Sequence, residues 1–214
     1  GVLFYMSGSV VMLSLCAVTF ASLLPFFCHN VFGKSSKMFI GDGGSLMMGV
    51  MMSANVVAVI SFRGERIAAL PEGIGLVAFA MAVMAVPVFD TLRVMVMRIL
   101  RGVSPFQPDK AHLHHLFIDL GFSHIGTTIS VLLLNILVVV AWWISYKLGA
   151  TINVQFYVVV SCAVFVTAVF YKFMRVQISH DTSIARFMRR LGTVSHYEER
   201  SSWLALQRIM DIRK

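Results

Sequence analysis

The chain has 214 residues, of which 58% are hydrophobic and only 13% charged, against about 45–50% and about 25% in typical soluble domains. That composition excludes both an ordinary soluble globule and a disordered chain. The formal net charge of +8, in so oily a chain, points to anionic lipid or a phosphate-bearing substrate and away from nucleic acid. Cys16, Cys28 and Cys162 all lie in apolar runs without metal-ligand spacing, so they read as small apolar residues rather than as a disulfide framework or a zinc site.

A bilayer core takes about 20 apolar residues per helix. Charge-free runs of that order fall at residues 2–27, 45–62, 73–89, 128–146 and 152–173, the last interrupted only by Lys172. The expected fold is therefore all-α, a polytopic membrane helix bundle with five spans. The first run lacks the basic flank of a signal peptide and is too long for one. Because the chain starts at Gly1, it reads as the later part of a longer protein. Five spans place 30–44, 90–127 and 174–214 on one side of the membrane. That side carries 15 Lys and Arg if Lys172 is counted with it, whereas the other carries Arg63, Arg66 and Lys147. The positive-inside rule makes the richer side cytoplasmic, with the N-terminus outside and the C-terminus inside. Trp142, Trp143 and Tyr146 are then expected at the outer interface and Tyr171 at the inner one. Asn135 is the main strongly polar residue near mid-membrane, and its expected role is hydrogen bonding between helices. No ionisable residue sits near the centre of a span, which argues against an ion-coupled carrier.

The tail reads separately. Ile184, Phe187, Met188 and Leu191 recur at helical spacing beside Arg186, Arg189 and Arg190, the pattern of a basic amphipathic helix on anionic headgroups. Trp203, Leu206, Ile209 and Met210 form a second such stretch. The domain organisation expected is a membrane region at 1–174 and a basic cytoplasmic tail at 175–214.

Two segments at the basic side carry candidate chemistry. Phe39-Ile40-Gly41-Asp42-Gly43-Gly44-Ser45 opens directly into an apolar helix. Its glycines would let a polyanion approach the backbone, the helix N-terminus favours phosphate, and Ser45 is a candidate cap. A carboxylate there suits Mg²⁺, which takes one or two carboxylates and keeps waters. A plain turn with a helix cap gives the same pattern. The second segment holds Asp90-Thr91-Leu92-Arg93, Arg98 and Arg101, then Ser104-Pro105-Phe106-Gln107-Pro108-Asp109-Lys110-Ala111-His112-Leu113-His114-His115. Arg and Lys suit a diphosphate, and the imidazoles can donate to its oxygens or carry a proton. The alternative is an interfacial loop whose histidines meet headgroups.

Together these segments resemble the polyprenyl-phosphate N-acetylhexosamine-1-phosphate transferases of the MraY/WecA type, glycosyltransferase family 4. Residues 39–45 match the F-x-G-D-x-G-S motif. Residues 87–122, from Pro87-Val88-Phe89-Asp90 through His115 to Gly121-Phe122, resemble the late cytoplasmic loop. The resemblance implies transfer of a sugar 1-phosphate from a UDP-sugar to polyprenyl (undecaprenyl) phosphate, with release of UMP and Mg²⁺ or Mn²⁺ as cofactor. It implies that Asp42 is the catalytic metal ligand, that Phe39 stacks on uracil, and that His112, His114 and His115 hold the nucleotide sugar near its diphosphate. Asn30, Gly41, Arg101 and Lys110 complete the substrate-binding set it implies. The implied location is a bacterial inner (plasma) membrane, multi-pass, with the active site on the cytoplasmic face. Partners are the UDP-sugar, the lipid phosphate and membrane lipids, with a homodimer left open.

The run His-Leu-His-His, after Ser-Pro-Phe and Pro-Asp-Lys, resembles the branch acting on UDP-N-acetylglucosamine more than the muramoyl-pentapeptide branch, which usually has three consecutive histidines. The family's paired-aspartate motif and its N-x-x-N-x-x-D-G stretch are absent from these residues, so the chain alone is expected to be incomplete as an enzyme. Two other readings stay open, a transporter for an anionic solute and a non-catalytic remnant binding lipid or a partner.

Overall fold

The computed structural model describes residues 1–32, 40–107 and 111–194. All regular structure among them is helical, as the apolar runs require, because a helix satisfies its own backbone where no water can. In chain order the helices are α1 (Val2–Met6), α2 (Val10–Phe32), α3 (Gly41–Ile60), α4 (Glu65–Ala68), α5 (Leu76–Val83), α6 (Ala85–Leu100), α7 (Leu113–Asp119), α8 (His124–Lys147) and α9 (Ile152–Val164). A π-helical segment, Phe165–Phe170, joins α9 to α10 (Tyr171–Ser179), and α11 (Ser183–Val194) follows. Four helices are long and apolar enough to cross a membrane, or five if the bent pair α5–α6 forms one span. This is the polytopic all-α architecture expected.

Span boundaries differ from the composition-based expectation in three places, each for a local reason. The first run breaks at Gly8, whose φ of +67° favours glycine, so α1 separates from a long helix that begins only at Val10. The third run bends by 73° between Val83 and Ala85 and then continues to Leu100. Asp90, Arg93 and Arg98 are therefore helical rather than in a loop, and Asp90, Val94 and Arg98 share one buried face at i, i+4, i+8. The last apolar helix reaches Ser179, since Lys172 and Arg175 are tolerated near a helix end.

The chain divides into two compact units, one spanning residues 1–76 and the other residues 77–194 of the described chain. In the first, α1 packs on α2, Phe4 meets Phe62 edge-on with ring centroids 5.8 Å apart, and the Cys16 thiol donates to Asn55 Oδ1. In the second, α6 packs against α8, α9 and the π segment, while α7 packs on α8 and α10. Ser123 and Thr151 cap α8 and α9 by accepting from Gly126 N and Val154 N.

Three polar or aromatic residues of the second unit take defined places. Asn135 bonds between helices as expected, and it does so at the bend: Oδ1 accepts from Val86 N at 2.9 Å and Nδ2 donates to Val83 O at 3.0 Å. Trp142 is buried against Phe79 and Tyr146, whereas Trp143 is exposed. Tyr171 is an arginine platform, with the Arg93 guanidinium 3.8 Å and that of Arg175 5.3 Å from its ring centroid.

Candidate functional site

In the first unit the candidate residues gather at the start of α3. Helix α3 begins at Gly41, and its N-cap residue, Ile40, offers no side-chain cap to the first N–H groups. Gly41 has φ +70°, a left-handed turn into the helix. Gly44 is glycine for a different reason, since a Cβ there would come 2.6 Å from Ile40 Cγ1. A Cβ at Gly41 or Gly43 would meet nothing within 4 Å, so Gly41 serves the chain through its φ, Gly44 through its close approach, and Gly43 through neither. Ser45 is not the cap that the sequence suggested; it lies a turn inside the helix, where its hydroxyl donates to Asp42 O at 2.9 Å. Asp42 is exposed in the first turn, at the positive end of the helix dipole.

In the second unit the histidines gather at the start of α7, around a carboxylate that the sequence reading quoted without a role. Asp90 is 7% exposed. Its two oxygens accept from Leu113 N at 3.2 and 3.1 Å, from Arg93 at 2.7 Å, and meet His112 Nδ1 at 2.9 Å. Arg93 also donates to Ala111 O at 2.6 Å. The buried charge is thereby paired and hydrogen-bonded, the condition for keeping one. Its geometry fixes the entry to α7: an ionised carboxylate accepts only, so His112 Nδ1 donates to it and Nε2 is left on the opposite edge of the ring. His112 is the N-cap residue of α7. His112 and His114 stack with centroids 5.9 Å apart, and His114 and His115 lie at 4.2 Å. Burial holds the His114 pKa below its usual value; the His115 and His112 imidazoles push the same way, and Asp90 opposes them.

These residues line one end of a groove of about 700 Å³. Its polar end holds Asp90, Thr91, His112, His114 and His124, its walls are apolar with Val83, Val86, Pro87, Val131 and Leu132, and Asn135 lines it too. The groove follows the bend of α5–α6 and suits an amphiphile with an anionic head. The sequence reading did not mark the groove, although Pro87, four residues beyond Val83, is a local signal for the bend that opens it. A signal for Asp90 did exist, in its i+3 and i+8 spacing to Arg93 and Arg98.

The remaining sequence candidates fall elsewhere. Arg101 is exposed at the C-cap of α6, outside the groove lining. Asn30 is half-buried near the end of α2 and donates to Phe26 O at 3.1 Å. Phe39, Lys110 and the stretch with Trp203, Leu206, Ile209 and Met210 lie outside the described residues. Among the described residues no three of His, Cys, Asp and Glu cluster as a metal-ligand set. The exposed Asp42 carboxylate beside the open space at Gly43 fits a hard cation that takes one protein carboxylate and completes its shell with water and phosphate oxygens. It does not fit zinc, which needs three or four protein ligands.

Comparison with known proteins points one way. The chain is 30% identical over 125 residues to the undecaprenyl-phosphate alpha-N-acetylglucosaminyl 1-phosphate transferase of Yersinia pestis, covering 58% of this chain and 32% of that protein. The Escherichia coli strain K12 protein of the same name is 27% identical over the same shares. A decaprenyl-phosphate N-acetylglucosaminephosphotransferase of Mycobacterium leprae is 36% identical over 106 residues, 48% of this chain and 26% of that protein. The chain thus spans about a third of the length of the curated relatives it matches. No family model matches it, and no solved structure does. The resemblance read from residues 39–45 and 87–122 is borne out by these relatives, and on the N-acetylglucosamine side of it.

Proposed function

We propose that this relative of the polyprenyl-phosphate N-acetylglucosamine-1-phosphate transferases supplies the diphosphate-binding and lipid-phosphate-binding parts of such an enzyme, embedded in a bacterial plasma membrane with its histidine segment on the cytoplasmic face. The observation that carries the reading is the groove. It joins an imidazole cluster at one end to apolar walls beside a bent membrane helix, which is the shape a polyprenyl phosphate presents. The cytoplasmic assignment is supported by the charge imbalance between the two loop sets.

In the proposed reaction an oxygen of the lipid phosphate attacks the β-phosphorus of UDP-N-acetylglucosamine. The bond from that phosphorus to the bridging oxygen breaks, and UMP leaves with the electron pair. Bound Mg²⁺ or Mn²⁺ would neutralise charge on the diphosphate oxygens, and Asp42 is the residue of this chain that would hold it. The chain's own groups mainly position and stabilise. The N–H groups opening α3 face the phosphate oxygens. His112, oriented through Nδ1 by Asp90, offers Nε2 to an oxygen of the donor or acceptor. His114, neutral near pH 7 because of its lowered pKa, offers a hydrogen bond without adding charge, and the apolar walls hold the first isoprene units. Phe39 on the uracil, with Asn30, Gly41, Arg101 and Lys110 near the nucleotide, completes the proposed set.

The test is UMP release from UDP-N-acetylglucosamine with polyprenyl phosphate in membranes containing the protein. Asp42→Asn should nearly abolish release while insertion and amount stay unchanged. Turnover like the parent's in that variant would sink the proposal.

A further inference from the structure

Helix α11 follows the last apolar helix after a tight corner. Asp181 turns the chain with φ 44°, Thr182 Oγ1 accepts from Ala185 N, and the Asp181 carboxylate receives Arg189 at 2.5 Å and meets Arg186 at 3.8 Å. Two faces of α11 then differ. Ala185 is 0% exposed, and a Cβ at Gly192, two turns on, would stand 2.7 Å from Leu120 O and 3.0 Å from Gly121 C. This edge is pressed backbone-to-backbone on the end of α7, where Arg175 also reaches Asp119 at 2.5 Å. Another face carries Ile184, Phe187 and Leu191, all exposed, Phe187 at 60%. The rest of the circumference holds Arg186, Arg189 and Arg190, and the helix has no acidic residue.

We propose that α11 is an interfacial foot: it lies on the anionic headgroups beside the last span, with Ile184, Phe187 and Leu191 in the acyl boundary, and α7 with its histidines rides on it through Gly192. Three features name the occupant. The helix starts four residues after the end of a membrane-crossing helix, so the nearest apolar phase is the bilayer. Its charge is cationic throughout, matching acidic phospholipid, to which each arginine near the surface adds attraction. Its division into an apolar and a basic face is that of helices that lie in the interface plane. Docking itself is independent of the transferase reading; only the use made of the histidines rests on that reading.

The experiment uses Phe187→Trp in the protein, reconstituted in nanodiscs of phosphatidylcholine alone or mixed with phosphatidylglycerol. The difference spectrum from the parent should be blue-shifted and quenched by lipids brominated near the headgroup, more strongly with phosphatidylglycerol. Arg186→Gln with Arg190→Gln should remove the phosphatidylglycerol-dependent part, and Arg189 stays on Asp181. Emission at the wavelength of water-exposed tryptophan, open to acrylamide in both discs, would overturn the docking. Phosphatidylglycerol should also slow hydrogen exchange at residues 113–119 in the parent but not in the double variant. Equal exchange in both lipids, with residue 187 docked, would overturn the link through Gly192. Neither readout needs UMP release.

Discussion

Asp42 and Asp90 are the same residue in opposite situations. Asp42 stands exposed at the first turn of a helix, between a glycine that makes the turn and one that leaves space. Asp90 is buried, and its oxygens take up Leu113 N, Arg93 and His112. A carboxylate meant for a cation has to keep its lone pairs for that cation, whereas one that shapes a site gives them to the protein. The contrast teaches that burial and partner count, rather than residue type, set what a carboxylate has left to offer, and it is on that ground that Asp42 is proposed for the cation and Asp90 for positioning His112.

The sharpest way to break this contrast is to neutralise each carboxylate in turn. Asp42→Asn should lower UMP release by about 10³-fold, since a cation's stabilisation of transition-state charge is worth several kcal/mol, and should leave the thermal midpoint unmoved. Asp90→Ala should do the reverse in emphasis. It strands Arg93 and Leu113 N in a buried place, a loss on the order of 3–5 kcal/mol, visible as a lower midpoint in detergent. The milder Asp90→Asn keeps an acceptor for Leu113 N and should reduce turnover through His112; combined with His112→Gln it should be no worse than His112→Gln alone. Full additivity would show that Asp90 does not act through that imidazole. Asn135→Leu should cost about 1–2 kcal/mol by leaving Val86 N and Val83 O without their amide partner, measured as faster hydrogen exchange at 83–87. The smallest effect is a pH dependence. His114 binds its proton less tightly when folded than when unfolded, so the unfolded chain holds more protons in the range just below 6.5. Stability therefore falls as pH drops through that range. His114→Gln should flatten the profile there, and an unchanged profile would remove His114 as its cause.

Much of this was legible in the residues because bilayer helices are written in plain hydropathy. The apolar helices, the helical tail at Ile184–Leu191 and the inter-helix role of Asn135 followed from run length and spacing. Residues 39–45 and 87–122 carried the family resemblance by motif. What the sequence could not disclose were effects of packing. Pro87 marks the bend at Met84, but the amide that satisfies the freed backbone there comes from Asn135, 51 positions away, and hydropathy is blind to that pairing. Asp90 looked like a loop residue because a charge ends an apolar run, yet the helix continues past it once Arg93 and His112 pair with it. The partners of Tyr171 and Trp142, a guanidinium and a phenyl ring, were likewise invisible in the residue order.

The amide of Asn135 at the α5–α6 break has a mechanical consequence. A helix interrupted inside a bilayer would ordinarily be a soft joint, and straightening this one cannot restore a full ladder, because Pro87 has no N–H to give Val83 O. Here a side chain from α8 stands in for the missing rungs on both sides of the break, so straightening would give up both bonds and leave Val83 O with no helical donor. The elbow is latched rather than sprung, and the wall of the groove that it forms is held by the same two bonds.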